Sequence, residues 1–215
     1  ALESPEAPIV ILNALKDHGL ATSIAPEQRT LGFMLPNTPL HHLLMEKAEV
    51  PIVLTSGNLS NEPQIIDDSE ALNKLGPIVE ALLVHDRQIV NRIDDSVVRI
   101  LSDKTCQIRR ARGYAPASIP CPPGFEETPE VLALGAHLKS NFCLFSNGKA
   151  IVSEHIGDLD DASTRASYYD TLDKYLRLFD RNPEVIAVDL HPNMPSVQRG
   201  EELAESRDLK LVRVQ

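Results

Sequence analysis

The order of predicted elements after residue 130 restricts the fold of this chain more than any other feature of its sequence. Three apolar runs predict three strands, and Asn147-Gly148 between the second and third is a strong hairpin signal. A long amphipathic helix, a strand, a second helix and a final strand follow. In chain order, these elements are predicted at residues 131–134, 142–145, 150–152, 161–179, 185–188, 197–204 and 211–214.

Three strands, a helix, a strand, a helix and a strand is the order found in one ribonuclease-H-like half of the actin and Hsp70 fold. We therefore expect an α/β half domain of this type over residues 130–215. The apolar face of its long helix is predicted to comprise Ala166, Tyr169, Leu172, Tyr175, Leu176 and Phe179. This scaffold carries many unrelated activities, so the fold alone does not give the function.

The first half of the chain also reads as α/β. Thr38 followed by Pro39 predicts the start of a helix, and a second helix is predicted to begin near Asp68. Five prolines between residues 116 and 129 indicate a linker, which divides the chain into domains at residues 1–116 and 130–215 with the linker at 117–129. Strands are predicted at residues 9–12, 31–35, 52–55, 81–84 and 97–101.

Bulk properties exclude several classes of protein. A net charge of −10 and an aromatic content of 4% argue against a nucleic-acid-binding surface. The three cysteines form no CxxC pair, which argues against a disulfide framework or a zinc knuckle. The N-terminus has no basic segment followed by an apolar core, and no apolar run reaches the roughly 20 residues that span a bilayer. We therefore expect a cytoplasmic protein without a membrane segment.

Candidate anion-binding residues lie at two places in the first half. Ser56 and Asn58 follow a predicted strand in a turn that contains glycine, which suits a phosphate or a carbonyl group. Arg109 and Arg112 lie in a compact arginine cluster, with Ser96 before a predicted strand. The alternatives are that Ser56, Gly57 and Asn58 serve only the conformation of their turn, and that the arginines form a solvated basic turn or pair with Asp94 and Asp95. His85-Asp86-Arg87 could be catalytic, but a structural histidine is the more common outcome.

The second half offers its own polar set. Lys139 and Asn141 lie in a tight turn between two predicted strands, where actin-like folds approach phosphates. Asp189 ends a predicted strand, where ligands of open α/β sheets bind. His155 and Asp158 are candidates for the same cleft, although either alone would be an ordinary surface group.

The sequence resembles a known family. The segments at residues 31–44, 54–63, 85–87, 92–99 and 109–116 are similar, in order and spacing, to the C-terminal part of the YrdC-like domain of hydrogenase-maturation carbamoyltransferases, the HypF family. Residues 134–141, 153–159 and 188–192 resemble the start of that family's carbamoyl-transfer domain. The resemblance covers nearly the whole chain and implies a partial YrdC-like sheet domain followed by the half domain.

The resemblance implies a two-step activity. Carbamoyl phosphate and ATP, with Mg²⁺, would give carbamoyl-adenylate, and the carbamoyl group would pass to a C-terminal cysteine of the acceptor protein HypE for cyanide-ligand synthesis. It also implies that the nine candidates bind the nucleotide: Ser56, Asn58, Ser96, Arg109, Arg112, Lys139, Asn141, Asp158 and Asp189. The catalytic residues stay unknown. The family's zinc or other metal has no ligand set in this chain.

Three alternatives stay open. The first is threonylcarbamoyl-adenylate synthesis for tRNA modification, which uses a similar YrdC-like fold. The others are a non-catalytic RNA-binding or partner-binding fragment. Both domains look incomplete, so we expect the chain by itself to have weak activity or none. Open sheet edges would also allow a dimer.

Overall fold

The computed structural model describes residues 1–60 and 62–215, and its contacts divide the chain into two compact units. The first unit comprises residues 1–56 and 95–114, and the second comprises residues 57–94 and 115–215. Each unit contains one sheet, and helices accompany both. The mixed α/β class predicted from the sequence is confirmed.

The first unit contains a four-stranded sheet in the order β2-β1-β3-β4. Its strands are β1 (Ile9–Asn13), β2 (Thr30–Phe33), β3 (Val97–Leu101) and β4 (Lys104–Arg109). The two central strands, β1 and β3, run parallel, and each pairs with its outer neighbour in the antiparallel sense. Val10 and Val98 are opposite each other in these central strands and are almost fully buried.

Helix α1 (Pro39–Ala48) begins where the sequence predicts. The Thr38 side chain accepts a hydrogen bond from the backbone N–H of His41 at 3.1 Å, and Pro39 occupies the first turn. The helix is fully described, yet it has no buried residue, and Leu43 is 62% exposed. Local capping, rather than packing, therefore accounts for its start.

Two predicted strands in the first half are wrong. Residues 52–55 and 81–84 form no strand, although both runs are apolar. A strand needs a neighbour that satisfies its backbone N–H and C=O groups, and within residues 1–60 and 62–215 no strand pairs with either run. Val53 and Leu83 are 69% and 74% exposed, so burial does not stabilise these runs either.

The second unit contains a six-stranded sheet in the order β10-β9-β6-β7-β8-β5. Its strands are β5 (Ile119–Pro120), β6 (Val131–Ala133), β7 (Cys143–Ser146), β8 (Lys149–Val152), β9 (Val185–Asp189) and β10 (Lys210–Val214). Strands β6, β9 and β10 run parallel, whereas β7 is antiparallel to both β6 and β8. The hairpin at Asn147 and Gly148, both with positive φ, is confirmed.

The helices of this unit are α2 (Asp68–Lys74), α3 (Ala162–Leu178) and α4 (Pro195–Arg207). Strands β6 to β10 and helices α3 and α4 follow the predicted order. One detail of α3 is wrong, because Ala166 is exposed and Tyr168 is buried instead. The face that packs on the sheet runs through Thr164, Tyr168, Leu172, Tyr175 and Leu176, a stripe at helical spacing.

The proline-rich segment contributes an edge strand. Its residues Ile119 and Pro120 form β5, which pairs with Ala150 and Lys149 of β8. The division at residues 117–129 stays a prediction. Among the described residues, we find no helix with the length and hydropathy needed to cross a bilayer.

Candidate functional site

Arg112 is fixed inside the first unit by two groups. Its Nε donates to Oδ1 of Asp95 at 2.8 Å, and its Nη2 donates to the carbonyl oxygen of Ala7, also at 2.8 Å. Both side chains of the Arg112–Asp95 pair are about one-third exposed, at 31% and 33%. A guanidinium held on one side in this way keeps a fixed orientation, which suits recognition of a phosphate or carboxylate group.

Ser96 lies beneath this arginine and is fully buried. Its hydroxyl donates to the carbonyl oxygen of Arg112 and accepts from the backbone N–H of Ala111, both at 2.8 Å. Because its one O–H is used by that carbonyl, Ser96 stabilises the Arg112 backbone in this arrangement. A direct contact between Ser96 and a ligand stays a prediction.

Arg109, Ser56 and Asn58 are the other residues predicted to bind an anion in the first half of the chain. Arg109 is the last residue of β4, is half-buried, and is opposite Val97. Ser56 is exposed at the end of one segment of the first unit, whereas Asn58 belongs to the second unit. The amide nitrogen of Asn58 donates to the carbonyl oxygens of Leu59 and Glu62, each at 2.9 Å, and so shapes its own turn.

The second unit contains a loop at residues 135–141, here called the glycine loop. Gly135 has a φ of +63°, and a Cβ atom at this position would lie 2.2 Å from the backbone oxygen of Asn141. Lys139 has a φ of 49° and donates its backbone N–H to Oδ1 of Asp158 at 2.6 Å. The loop therefore closes on itself, and an acidic side chain holds it from outside.

The glycine loop and two predicted acidic residues lie at one edge of the sheet. Strands β6, β8 and β9 run in the same direction, so their carboxyl ends share that edge. Asp158 follows β8, and Asp189 ends β9 and accepts the backbone N–H of His191 at 2.8 Å. The structure thus brings Lys139, Asn141, Asp158 and Asp189 to the edge where ligands of open α/β sheets bind.

Two residues that support the loop were not identified from the sequence. The Tyr168 hydroxyl donates to the carbonyl oxygen of Leu134 at 2.6 Å, and burial raises the pKa of this phenol, so it remains a donor. Ser196, buried in the first turn of α4, donates to the carbonyl oxygen of Gly135 at 3.3 Å. A serine directly after Pro195 at a predicted helix start is the signal that could have identified the second support.

Gly200 allows α4 to approach the sheet at this place. A Cβ atom on Gly200 would lie 2.3 Å from Cγ1 of Val188 and 2.8 Å from Cδ1 of Leu134. Only a residue without a side chain permits this helix–sheet distance. The first turn of α4 therefore lies close to Gly135, and the positive end of the helix dipole favours a negative charge there.

His85, Asp86 and Arg87 are exposed and outside any helix or strand. Across residues 1–60 and 62–215, no group of three or more His, Cys, Asp or Glu side chains is arranged to hold a metal ion. Mg²⁺ commonly binds through one or two carboxylates together with substrate phosphates, so Asp158 and Asp189 fit a metal that arrives with a nucleotide.

Family comparisons match both halves of the chain. Residues 1–111 match the Sua5/YciO/YrdC family, described as "Telomere recombination", and residues 126–215 match the HypF Kae1-like domain. The carbamoyltransferase HypF of Rhodobacter capsulatus is 43% identical over 100% of this chain. The carbamoyltransferase HypF of Synechocystis is also 43% identical, over 94% of this chain.

Solved structures agree with these matches. A crystal structure of full-length HypF in a phosphate- and nucleotide-bound form superposes on the whole chain with a TM-score of 0.90 and 43% identity. Crystalline T. kodakarensis HypF gives a TM-score of 0.92 with 31% identity. This chain spans 29% of the Rhodobacter protein and 26% of the Synechocystis protein, so it corresponds to under a third of either relative.

Proposed function

We propose that this chain is part of a hydrogenase-maturation carbamoyltransferase. The chain belongs to the HypF family, with a YrdC-like part followed by a Kae1-like part. The observation that carries this proposal is the 43% identity to a carbamoyltransferase over the full length of the chain. The substrates would be carbamoyl phosphate and ATP, and the acceptor would be a C-terminal cysteine of HypE.

The first unit would serve the adenylation step. Carbamoyl phosphate would first lose inorganic phosphate to water, and an oxygen of the resulting carbamate would then attack the α-phosphorus of ATP and displace pyrophosphate. The main requirement of this step is to neutralise and orient phosphoryl oxygens. Arg112, held by Asp95 and supported through its backbone by Ser96, would supply an oriented cation. Arg109 and Ser56 would be further donors for this step.

The glycine loop would serve the transfer step. The acceptor sulfur would attack the carbamoyl carbon, the bond from that carbon to the adenylate oxygen would break, and AMP would leave. The glycine loop and the N-terminal end of α4 would hold the departing phosphate, because the positive end of the helix dipole favours a negative charge beside Gly135. Asp158 and Asp189 lie at the same edge and would orient the metal that accompanies the nucleotide.

Cellular location is part of the same proposal. All three cysteines, Cys106, Cys121 and Cys143, are free thiols. Free thiols are typical of a reducing compartment, which supports a cytoplasmic site of action.

Exchange of labelled pyrophosphate into ATP tests the proposal. We expect the full-length protein that carries this sequence to catalyse exchange only when carbamoyl phosphate is present. The 215-residue chain under identical conditions should give little or no exchange. Exchange that depends on threonine and bicarbonate would favour the tRNA-modification alternative, and no exchange with either donor would contradict both adenylation proposals.

A further inference from the structure

A partly buried histidine–aspartate pair lies in the second unit, outside the glycine loop. His155 Nδ1 is 2.7 Å from Oδ2 of Asp94, and the two side chains are only 19% and 17% exposed. Asp94 belongs to the segment that matches the YrdC-like family, whereas His155 belongs to the Kae1-like match. The pair therefore joins a residue from before the proline-rich segment to the later domain.

Asp94 is itself held in place by a polar network. Gln64 Nε2 donates to Oδ1 of Asp94, and Arg92 Nε donates to the carbonyl oxygen of Gln64 at 2.7 Å. Arg92 Nη1 also donates to the Ser167 hydroxyl on α3 at 2.9 Å. We call Gln64, Arg92, Asp94, His155 and Ser167 the Asp94 network. Lys174 of α3 adds contacts to Val90 and Asn91 at 3.1 and 3.0 Å.

The three residues after His155, residues 156–158, form hydrogen bonds with the glycine loop. Ser140 in the loop exchanges two backbone hydrogen bonds with this turn, one to the oxygen of Gly157 at 2.8 Å and one from the N–H of Ile156 at 2.9 Å. Asp158 accepts the N–H of Lys139 at 2.6 Å. The turn at residues 155–158 is thus the structural element that touches both the Asp94 network and the loop.

The space beside the pair is too small for a substrate. A cavity of about 20 Å³ is lined by Gln64, Arg92, Asp94, His155, Ser167 and their neighbours. A volume of this size holds about one water molecule. A carboxylate bound to Nδ1 of an imidazole would suit a general base, but a nucleotide does not fit in this space. His155 is therefore placed to position other residues.

We propose that Asp94 is a positioning residue for the glycine loop, so that the chain before the proline-rich segment completes the nucleotide site of the later domain. Asp94 fixes His155, His155 fixes the turn at residues 155–158, and that turn fixes Ser140 and Lys139. The effect on the transfer step rests on the proposed function, whereas the effect on the loop does not.

Hydrogen exchange of backbone amides in the full-length protein measures the loop directly. Asp94→Asn should accelerate exchange in a peptide covering residues 135–141 by about tenfold, the effect expected when a charge-assisted hydrogen bond is weakened. Asp170→Asn is the matched control, because Asp170 is on the exposed side of α3. In the Asp170→Asn variant, the backbone amides of residues 135–141 should exchange at the wild-type rate.

A second pair of variants separates positioning from general stability. His155→Asn can present its amide N–H near the position of Nδ1, so it should stay close to wild type. His155→Leu cannot and should resemble Asp94→Asn. Unchanged exchange at residues 135–141 in Asp94→Asn would overturn the proposal. An equal acceleration in strand β9 would also overturn it, because that result would indicate general loosening of the domain.

Activity measurements supply a separate readout. Pyrophosphate exchange by Asp94→Asn should stay within about twofold of wild type, whereas carbamoyl transfer to the acceptor cysteine should fall about tenfold, in line with the loop effect. An equal loss in both reactions would contradict the assignment to the transfer step. If the wild type catalyses neither reaction, the proposed function fails, and hydrogen exchange still decides whether Asp94 positions the loop.

Discussion

At the scale of the residue, the glycine loop depends on the absence of one atom. Gly135→Ala should impair the loop for two reasons, an unfavourable positive φ and a Cβ atom that would lie 2.2 Å from the oxygen of Asn141. Gly148→Ala is the control, since Gly148 has a similar φ of +69° and its nearest neighbours would be 3.9 Å away. We expect the control to lose about 1 kcal/mol of unfolding free energy.

The Gly135 variant should lose about 1–3 kcal/mol more than this control, because the clash is with backbone and not with a flexible side chain. Urea unfolding of both variants measures the difference. Equal losses in the two variants would show that φ alone decides the cost and that the loop can move away from Asn141.

The residue types at these sites could be predicted from the sequence, but their partners could not. Arginines beside a glycine, and a lysine and an asparagine in a tight turn, indicate anion binding from composition alone. The Ser96 hydroxyl donates to the carbonyl oxygen of Arg112. This contact depends on the pairing of β1 with β3 and on the turn that follows, which no local sequence pattern predicts. Asp94 is a similar case, since its partner His155 is 61 residues away.

At the scale of the element, Glu130 joins the start of β6 to two other places in the second unit. Burial alone would raise its pKa, but hydrogen bonds from Ser146, from the N–H of Asn182 and from Arg181, with the Arg181 charge, lower the pKa overall. The Arg181 Nη1 and the Ser146 hydroxyl lie 2.9 and 2.8 Å from Oε1. This carboxylate stabilises the fold only while it is ionised.

A lowered folded pKa gives the sign of the pH dependence. The contribution of Glu130 to stability is complete above the ordinary carboxyl pKa and is lost as the pH falls through the lowered folded value. Glu130→Gln should therefore be less stable than wild type near neutral pH, and the difference should shrink below about pH 4.5. Urea unfolding across the acid range measures this, with exposed Glu127→Gln as control. A difference independent of pH would contradict it.

Elements with local signals were predicted well, and elements that need a distant partner were not. The Asn147-Gly148 hairpin and the Thr38 cap each depend on a few neighbouring residues, and both are confirmed. The apolar runs at residues 52–55 and 81–84 have the composition of strands, yet pairing decides whether a strand forms. Ala166 was wrongly assigned to the buried face of α3, because packing against the sheet decides which face of the helix is buried.

At the scale of the whole molecule, apolar burial is unevenly distributed along the chain. Every member of the main buried apolar cluster, as far as the described residues show, lies between Leu132 and Ala204. In the first unit, Val10, Val98 and Ala111 are well buried, whereas α1 buries nothing in its ten described residues. Since burial of apolar surface is the main stabilising term, the second unit should be the more stable.

We therefore expect the 215-residue chain to unfold in two steps. In hydrogen exchange at increasing urea, peptides from β1 and β3 should lose protection before those from α3 and β9, because the first unit buries less apolar surface.

Leu172→Ala and Val98→Ala are a matched pair, each at a fully buried position in a different unit. Leu172→Ala should destabilise the second unit by about 2–5 kcal/mol. It should not shift the first unfolding step, which belongs to the first unit. Val98→Ala should shift the first step to lower urea and leave the second step unchanged. A single transition shifted by both variants would instead mean that the two units unfold as one cooperative structure.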